Sequence, residues 1–181
     1  MVNNCVLKGL KPEGVFEFFG EILAVPRPSM HEGKMTEYLL NWAKQRGLEH
    51  ERDAIGNVII RKGATKGMEN KPWVCLQAHI DMVCEKNGDK CFDFMKDAIE
   101  PRIENGWMMA TGTTLGADDG IGVATALAIL DAKDVVHGPI ECLFTVDEET
   151  GLSGANALSP TALKSRILLN LDSEDEGEMF I

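Results

Sequence analysis

Apolar residues return at helical spacing through residues 15–25, VFEFFGEILAV, which predicts a helix starting near Pro12 and ended by Pro26 and Pro28. A second helix is expected from Ser29, a residue suited to capping its N-terminus, with Glu32 three positions on as in a capping box. Its buried face would be Met35, Tyr38, Leu39 and Trp42, and Gly47 would stop it. After Gly47 the period shortens towards two, so residues 48–61 read as a strand, a turn at 54–57 and a second strand, together an edge hairpin. A polar loop over 64–71 leads to an almost wholly apolar run at 73–78. A strand without alternation is expected near the middle of a sheet, with helices over both faces.

From residue 82 to 105 the chain is polar and turn-rich, predicting a long loop and then short strands near 99–103 and 107–110. A helix over 120–133 and two apolar strands, 139–146 and 166–171, complete an α/β pattern. The apolar strands end in chemistry. His79 and Asp81 follow the first; Asp147, Glu148 and Glu149 follow the second; Asp172 follows the third. Ligand crevices of open α/β sheets lie beyond the carboxyl ends of strands, so these residues can meet although they are far apart in the chain. His79 and Asp81 point to one side in an extended chain, which suits a metal-binding imidazole oriented by a carboxylate. On its own, H-x-D also fits a strand-end histidine with an incidental acid. The later acids favour the metal.

Residues 111–130, TGTTLGADDGIGVATALAIL, place Asp118 and Asp119 in a glycine-rich turn before an apolar helix. The spacing is neither G-x-G-x-x-G nor a P-loop, and paired acids would repel a phosphate, so the expected guest is a cation. Composition agrees: 29 acidic against 18 basic residues give a formal charge of −11, which disfavours nucleic acid and anionic lipid. There is no apolar run of membrane-spanning length and no signal-peptide core in the first residues, so the expected location is cytoplasmic. The five cysteines lack C-x-x-C spacing and read as reduced thiols, with Cys75 and Cys142 packed as small hydrophobes. The acidic run from Asp172 imitates the first six positions of a calcium loop but not its twelfth. His31 is expected at the surface or against a loop.

Taken together, QAHIDMV, GTTLGADDGIG, FTVDEETGLSGA and NLDSEDEGE resemble the zinc peptidases of the M20 metallopeptidase clan. FFGEILAVPRPSMHEG, DAIGNVIIRKGAT and LQAHIDMVCEKN resemble its aminoacyl-histidine dipeptidase branch in particular. The resemblance implies a zinc-peptidase-like mixed sheet flanked by helices, and hydrolysis of Xaa-His dipeptides. It implies two zinc ions: His79 and Asp172 hold one, Glu149 the other, and Asp118 bridges both. Asp81 would orient His79, and Glu148 would be the general base acting on the metal-bridging water. Asp119 is expected to support the turn. Members of the family are longer, with a lid domain that also dimerises and a further zinc-binding histidine. Residues 1–181 are accordingly expected to be the N-terminal part of the catalytic domain, lacking the lid and the C-terminal catalytic part. His31, His50 and His137 lie outside the family motifs, so the Glu149 site is expected to be incomplete, activity of this chain alone low, and dimerisation through a lid not available. The expected partner is a small peptide substrate. Two rivals are a non-catalytic zinc-binding remnant or fragment completed by a second chain, and a nucleotide-binding α/β domain.

Overall fold

The apolar run that ends in His79 forms an inner strand of a five-stranded sheet in the computed structural model, which describes residues 4–173 and Gly177. The calcium-like run beyond Ser173, Gly177 apart, lies outside the described residues. After a short helical turn at Asn4–Leu7 come α1 (Glu13–Leu23), α2 (Gly33–Gln45), β1 (Glu49–Arg52), β2 (Val58–Lys62) and β3 (Val74–His79). They are followed by β4 (Pro101–Glu104), β5 (Trp107–Ala110), α3 (Ala117–Asp131), β6 (Ile140–Thr145), α4 (Ser153–Ala157) and β7 (Ile167–Asn170).

The sheet order is β1-β2-β6-β3-β7. β1 with β2 and β2 with β6 are antiparallel, whereas β3 runs parallel to both β6 and β7, so the sheet is mixed. β4 and β5 form a separate antiparallel pair. Three parallel strands have a common carboxyl edge, and β3, β6 and β7 deliver His79, the acids from Asp147, and Asp172 to it. In the register His79 faces Thr145, while Gln77 lies between Leu143 and Asn170.

The flanking helices divide their work unevenly. Phe19 and Ile22 of α1, Met35 and Leu39 of α2, and Val123, Leu127 and Leu130 of α3 pack in one cluster with Ile60, Ala78 and Phe144 of the sheet. Fully burying an aliphatic or aromatic side chain of this kind contributes about 1.5–3 kcal/mol, so this face carries most of the hydrophobic stabilisation. On the opposite face Ile59, Cys75 and Leu143 form a small cluster covered by Leu158, Ala162 and Leu163, which follow α4. Among the described residues, β3 thus has long helices over one face and an irregular segment over the other. Cys75 and Cys142 are fully buried, as their apolar surroundings predict.

Two further expectations are corrected. Ser29 does not cap α2, which begins at Gly33; the Ser29 hydroxyl instead donates to Asp81 Oδ2 at 2.7 Å. Glu32 turns away from the helix too, accepting the backbone N–H of Asp147 at 3.0 Å. His31 precedes the helix and is exposed. The helix predicted from residue 120 does become regular there: Asp118 and Asp119 have non-helical backbone angles within α3, and Gly116 before it is left-handed at φ 69°.

Asn57 ties the β1–β2 hairpin to the exit of β6. Its amide nitrogen donates to Asp53 Oδ2 at 2.7 Å and to the Gly154 carbonyl at 2.9 Å, and its oxygen accepts the Val146 N–H at 3.1 Å. Asn57→Ala leaves the last two groups unpaired in a buried position, and the expected cost is about 3 kcal/mol. Chemical denaturation measures it; a loss below about 1 kcal/mol would contradict this role.

Candidate metal centre

His79 is the last residue of β3 and only 1% exposed, so its ring orientation is set by protein contacts. Nδ1 lies 3.2 Å from Asp81 Oδ1. Nε2 lies 2.8 Å from Asp118 Oδ1 and 3.9 Å from Asp172 Oδ2. A proton on Nδ1 facing Asp81 leaves the Nε2 lone pair directed at the acids, the tautomer that metal binding requires.

The Asp118 turn is attached to the same strand end by Arg27, which is 2% exposed. Its guanidinium donates to the carbonyls of Ile80 at 3.2 Å and Asp81 at 2.7 Å, and also to that of Gly116. A Cβ added at Gly116 or Gly120 would lie 2.5 or 2.6 Å from Arg27 Nη2. The glycines around Asp118 and Asp119 therefore make room for a buried side chain as well as a turn. Burial lowers the Arg27 pKa to about 10, against the nearby Asp81 and Asp119 charges, and the group stays cationic at neutral pH. Asp119 does support the turn, with Oδ1 accepting the Gly122 N–H at 3.2 Å. It does more, since Oδ2 accepts the backbone N–H of His79 at 3.2 Å.

The third segment leaves β6 through Asp147, whose backbone is left-handed at φ 50°. Its carboxylate accepts the Thr150 hydroxyl at 2.6 Å and the Ser153 hydroxyl, while its N–H is held by Glu32. The next two backbone N–H groups, of Glu148 and Glu149, donate to Asp81 Oδ1 and Oδ2 at 3.0 and 3.2 Å. This fixes the turn so that both half-buried glutamates face His79.

Two sets of possible ligand atoms result: His79 with Asp118 and Asp172, and His79 with Glu148 and Glu149, the atoms of each set lying within 4.8 Å of one another. The structure thus brings together every residue that the sequence proposed, Asp81 included. A third set, Glu32, Asp81 and Asp147, is buried. Its members already accept protein donors and build the scaffold. Among the described residues, His79 is the one histidine in these sets. His50 instead approaches the Leu48 carbonyl and His137 the Gly138 carbonyl. Sequence reasoning missed Arg27, and it assigned Ser29 and Glu32 to a helix end; their partners are too distant in the chain for a local pattern to reveal.

Electrostatics separates the acids. Burial disfavours charged Asp81, but hydrogen bonds from His79, Glu148, Ser29 and Glu149 prevail and hold it at about 2. Burial also opposes charge on His79, and the bonds to Asp81 and Asp118 overcome it, raising the imidazole to about 9. Desolvation raises Asp119 to about 7 despite His79. Desolvation and the neighbouring Asp118 raise Glu149 and Asp172 as well. One available imidazole nitrogen among carboxylates that resist sharing their charge is a donor set that fits zinc.

With this geometry in place, comparison with known proteins gives its lineage. The model of peptidase family M20/M25/M40 matches residues 75–176, more than half of the chain. The chain belongs to peptidase family M20/M25/M40. This M20 chain is 51% identical over 175 residues to the cytosol non-specific dipeptidase of Escherichia coli (strain K12), covering 97% of itself and 36% of that protein. Its fold is similar to the aminoacylhistidine dipeptidase of Vibrio alginolyticus, with TM-score 0.92 and 51% identity over 94% of this chain and 35% of that one. The aminopeptidase PepT of Bacillus cereus is similar at TM-score 0.75 and 28% identity, over 90% and 44%. The M20 chain spans about a third of the length of the first two relatives. No helix among its described residues is long and apolar enough to cross a membrane.

In the metal-free chain, the raised His79 and Asp119 pKa values mean that the folded state binds more protons than the unfolded state. Stability then falls as pH rises, through Asp119 between its ordinary 3.8 and about 7, and through His79 between 6.5 and about 9. Asp81, whose pKa is depressed, acts in the other sense only as pH falls from 3.8 towards about 2. With chelator present, the thermal midpoint is expected to decline from about pH 5 to pH 9. A midpoint that climbs over this range would contradict the assignment.

Proposed function

We propose that this chain is the N-terminal part of the catalytic domain of a dizinc dipeptidase that hydrolyses Xaa-His dipeptides. The observation that carries this reading is the convergence of Asp118, Asp172, Glu148 and Glu149 on the single imidazole of His79. The similarity to an aminoacylhistidine dipeptidase supports the substrate class. The substrate is a small peptide, and the charge of −11 argues against nucleic acid or membrane surfaces as partners. The E. coli relative is a cytosol dipeptidase, which supports a cytoplasmic location.

In this reading His79 and Asp172 would hold one zinc and Glu149 the second, with Asp118 available to both. Bound there, zinc would polarise the scissile carbonyl and make water more acidic. Asp81 holds the His79 ring with Nε2 directed at the centre. Glu148 is the general base: it takes a proton from the attacking water and returns it to the leaving amine. Its backbone N–H is anchored to Asp81, so the base and the ligand histidine are referred to one fixed carboxylate. On the Glu149 side the assigned ligands are two carboxylates, against three ligands on the His79 side. A zinc on the His79 side would therefore be the tighter one, and hydrolysis by the 181-residue chain alone is expected to be low. A second reading, a zinc-binding fragment completed by another chain, is favoured by β7, all four residues of which are exposed.

Glu148→Ala, introduced into this chain extended to the length of its relatives, is expected to lower kcat on Xaa-His dipeptides about 10²–10⁴-fold with zinc content unchanged. Retained turnover would refute the role of Glu148. Brisk hydrolysis by the 181-residue chain itself would refute the expectation of low activity.

A further inference from the structure

A line of amides lies one rung below the candidate metal centre. Among the described residues β7 pairs with β3 alone, through a parallel ladder whose last rung is Gln77 opposite Asn170. The apolar residues of β7 are about half exposed, so packing holds it less firmly than it holds β3. At the last rung the side chains are joined: Asn170 Nδ2 donates to Gln77 Oε1 at 2.5 Å, and Gln77 Nε2 donates to Thr145 Oγ1 of β6 at 3.2 Å. The remaining amide oxygen of Asn170 accepts the backbone N–H of Asp172 at 3.3 Å. The N–H of Leu171, between them, donates to the Gln77 carbonyl at 2.9 Å. Residues two apart on a strand share a face, so Gln77 lies on the side of β3 that carries His79.

We propose that Gln77 is a positioning residue for Asp172. Held by Thr145 on one side, it fixes the amide of Asn170 on the other, and Asn170 then sets the backbone from which the Asp172 carboxylate reaches His79 Nε2, 3.9 Å away. None of these amides touches the reacting atoms. Their effect passes through Asp172, and the inference rests on the reading of His79, Asp118 and Asp172 as a zinc site. Supports of this kind alter metal affinity without supplying a ligand.

The test uses zinc alone, titrated into the 181-residue chain against a competing chelator, with a thermal melt of each variant. Gln77→Met keeps the length of the side chain and removes both amide bonds. It is expected to weaken zinc binding about 10–100-fold, as is Asn170→Ala, while the double variant loses little more than either single one. A role confined to fold stability would lower the melting temperature and leave the zinc affinity of the folded chain unchanged, and that result overturns the proposal. Losses that multiply in the double variant overturn it too, because they would mean two independent effects. Asp172→Ala separates the two levels. If it leaves zinc affinity unaltered, the metal-site reading fails and this inference with it; if it weakens zinc while Gln77→Met does not, this inference alone fails. Should Gln77→Met not fold, Thr145→Val decides: weaker zinc binding supports the relay, and unchanged binding overturns it.

Discussion

Asp81 has no exposed surface, and its two oxygens take donors from three separate parts of the chain. The imidazole of His79 comes from its own strand end, the hydroxyl of Ser29 from the segment before α2, and the N–H groups of Glu148 and Glu149 from the turn after β6. A buried carboxylate is costly unless its lone pairs are satisfied, and these donors meet that condition. The consequence reaches beyond Asp81. Because the same oxygens orient His79 and hold the backbone of the two glutamates, the spacing of the imidazole and both carboxylates follows from one group. Arg27 adds the remaining segment by joining the Ile80 and Asp81 carbonyls to that of Gly116, just ahead of Asp118.

Acids at this edge of the sheet therefore divide into two kinds. Asp81 and Asp147 are occupied by protein donors, and Glu32 accepts the N–H groups of Met30 and Asp147. They define where the turns run. Glu149 and Asp172 have raised pKa values, and Asp118 lies against Asp172 with more than half of its side chain exposed. Their mutual proximity is unfavourable, and in the metal-free chain the His79 imidazolium offsets it only in part. Burial raises Glu32 and Asp119 too, so what supports the metal-site reading is the crowding of these acids around one imidazole, in contrast to a structural ion-pair network, where each charge has its partner in the protein. Arg61 and Glu141 show the latter arrangement on the same sheet, a buried pair 3.0 Å apart that serves the fold.

Much of this was legible in the chain because it depends on local period. The helical spacing of α1 and α2, the hairpin around Asn57 and the unbroken apolar runs of β3 and β6 follow from which side chains must be buried. The candidate centre was legible for a related reason: strands of one parallel set end at one edge, so a histidine and acids after successive apolar runs converge. What escaped were contacts between residues far apart in sequence that carry no periodic mark. Ser29 and Glu32 satisfy a local capping pattern, yet stronger partners, a buried carboxylate and the N–H of Asp147, draw them from it. The glycines beside Asp118 signal a turn, but nothing local shows that Arg27 occupies the space they leave. The exposure of β7 could not be read from an apolar strand sequence, since cover depends on what packs against it.

The claim on which the rest turns is that these acids and His79 form a zinc site. Crystals of the chain grown with zinc, with anomalous diffraction recorded on either side of the zinc edge, would locate the ion directly. The account predicts a peak bounded by His79 Nε2, Asp118 and Asp172, about 2.0–2.1 Å from the imidazole nitrogen. A peak among Glu32, Asp81 and Asp147, or no peak near His79, would contradict it.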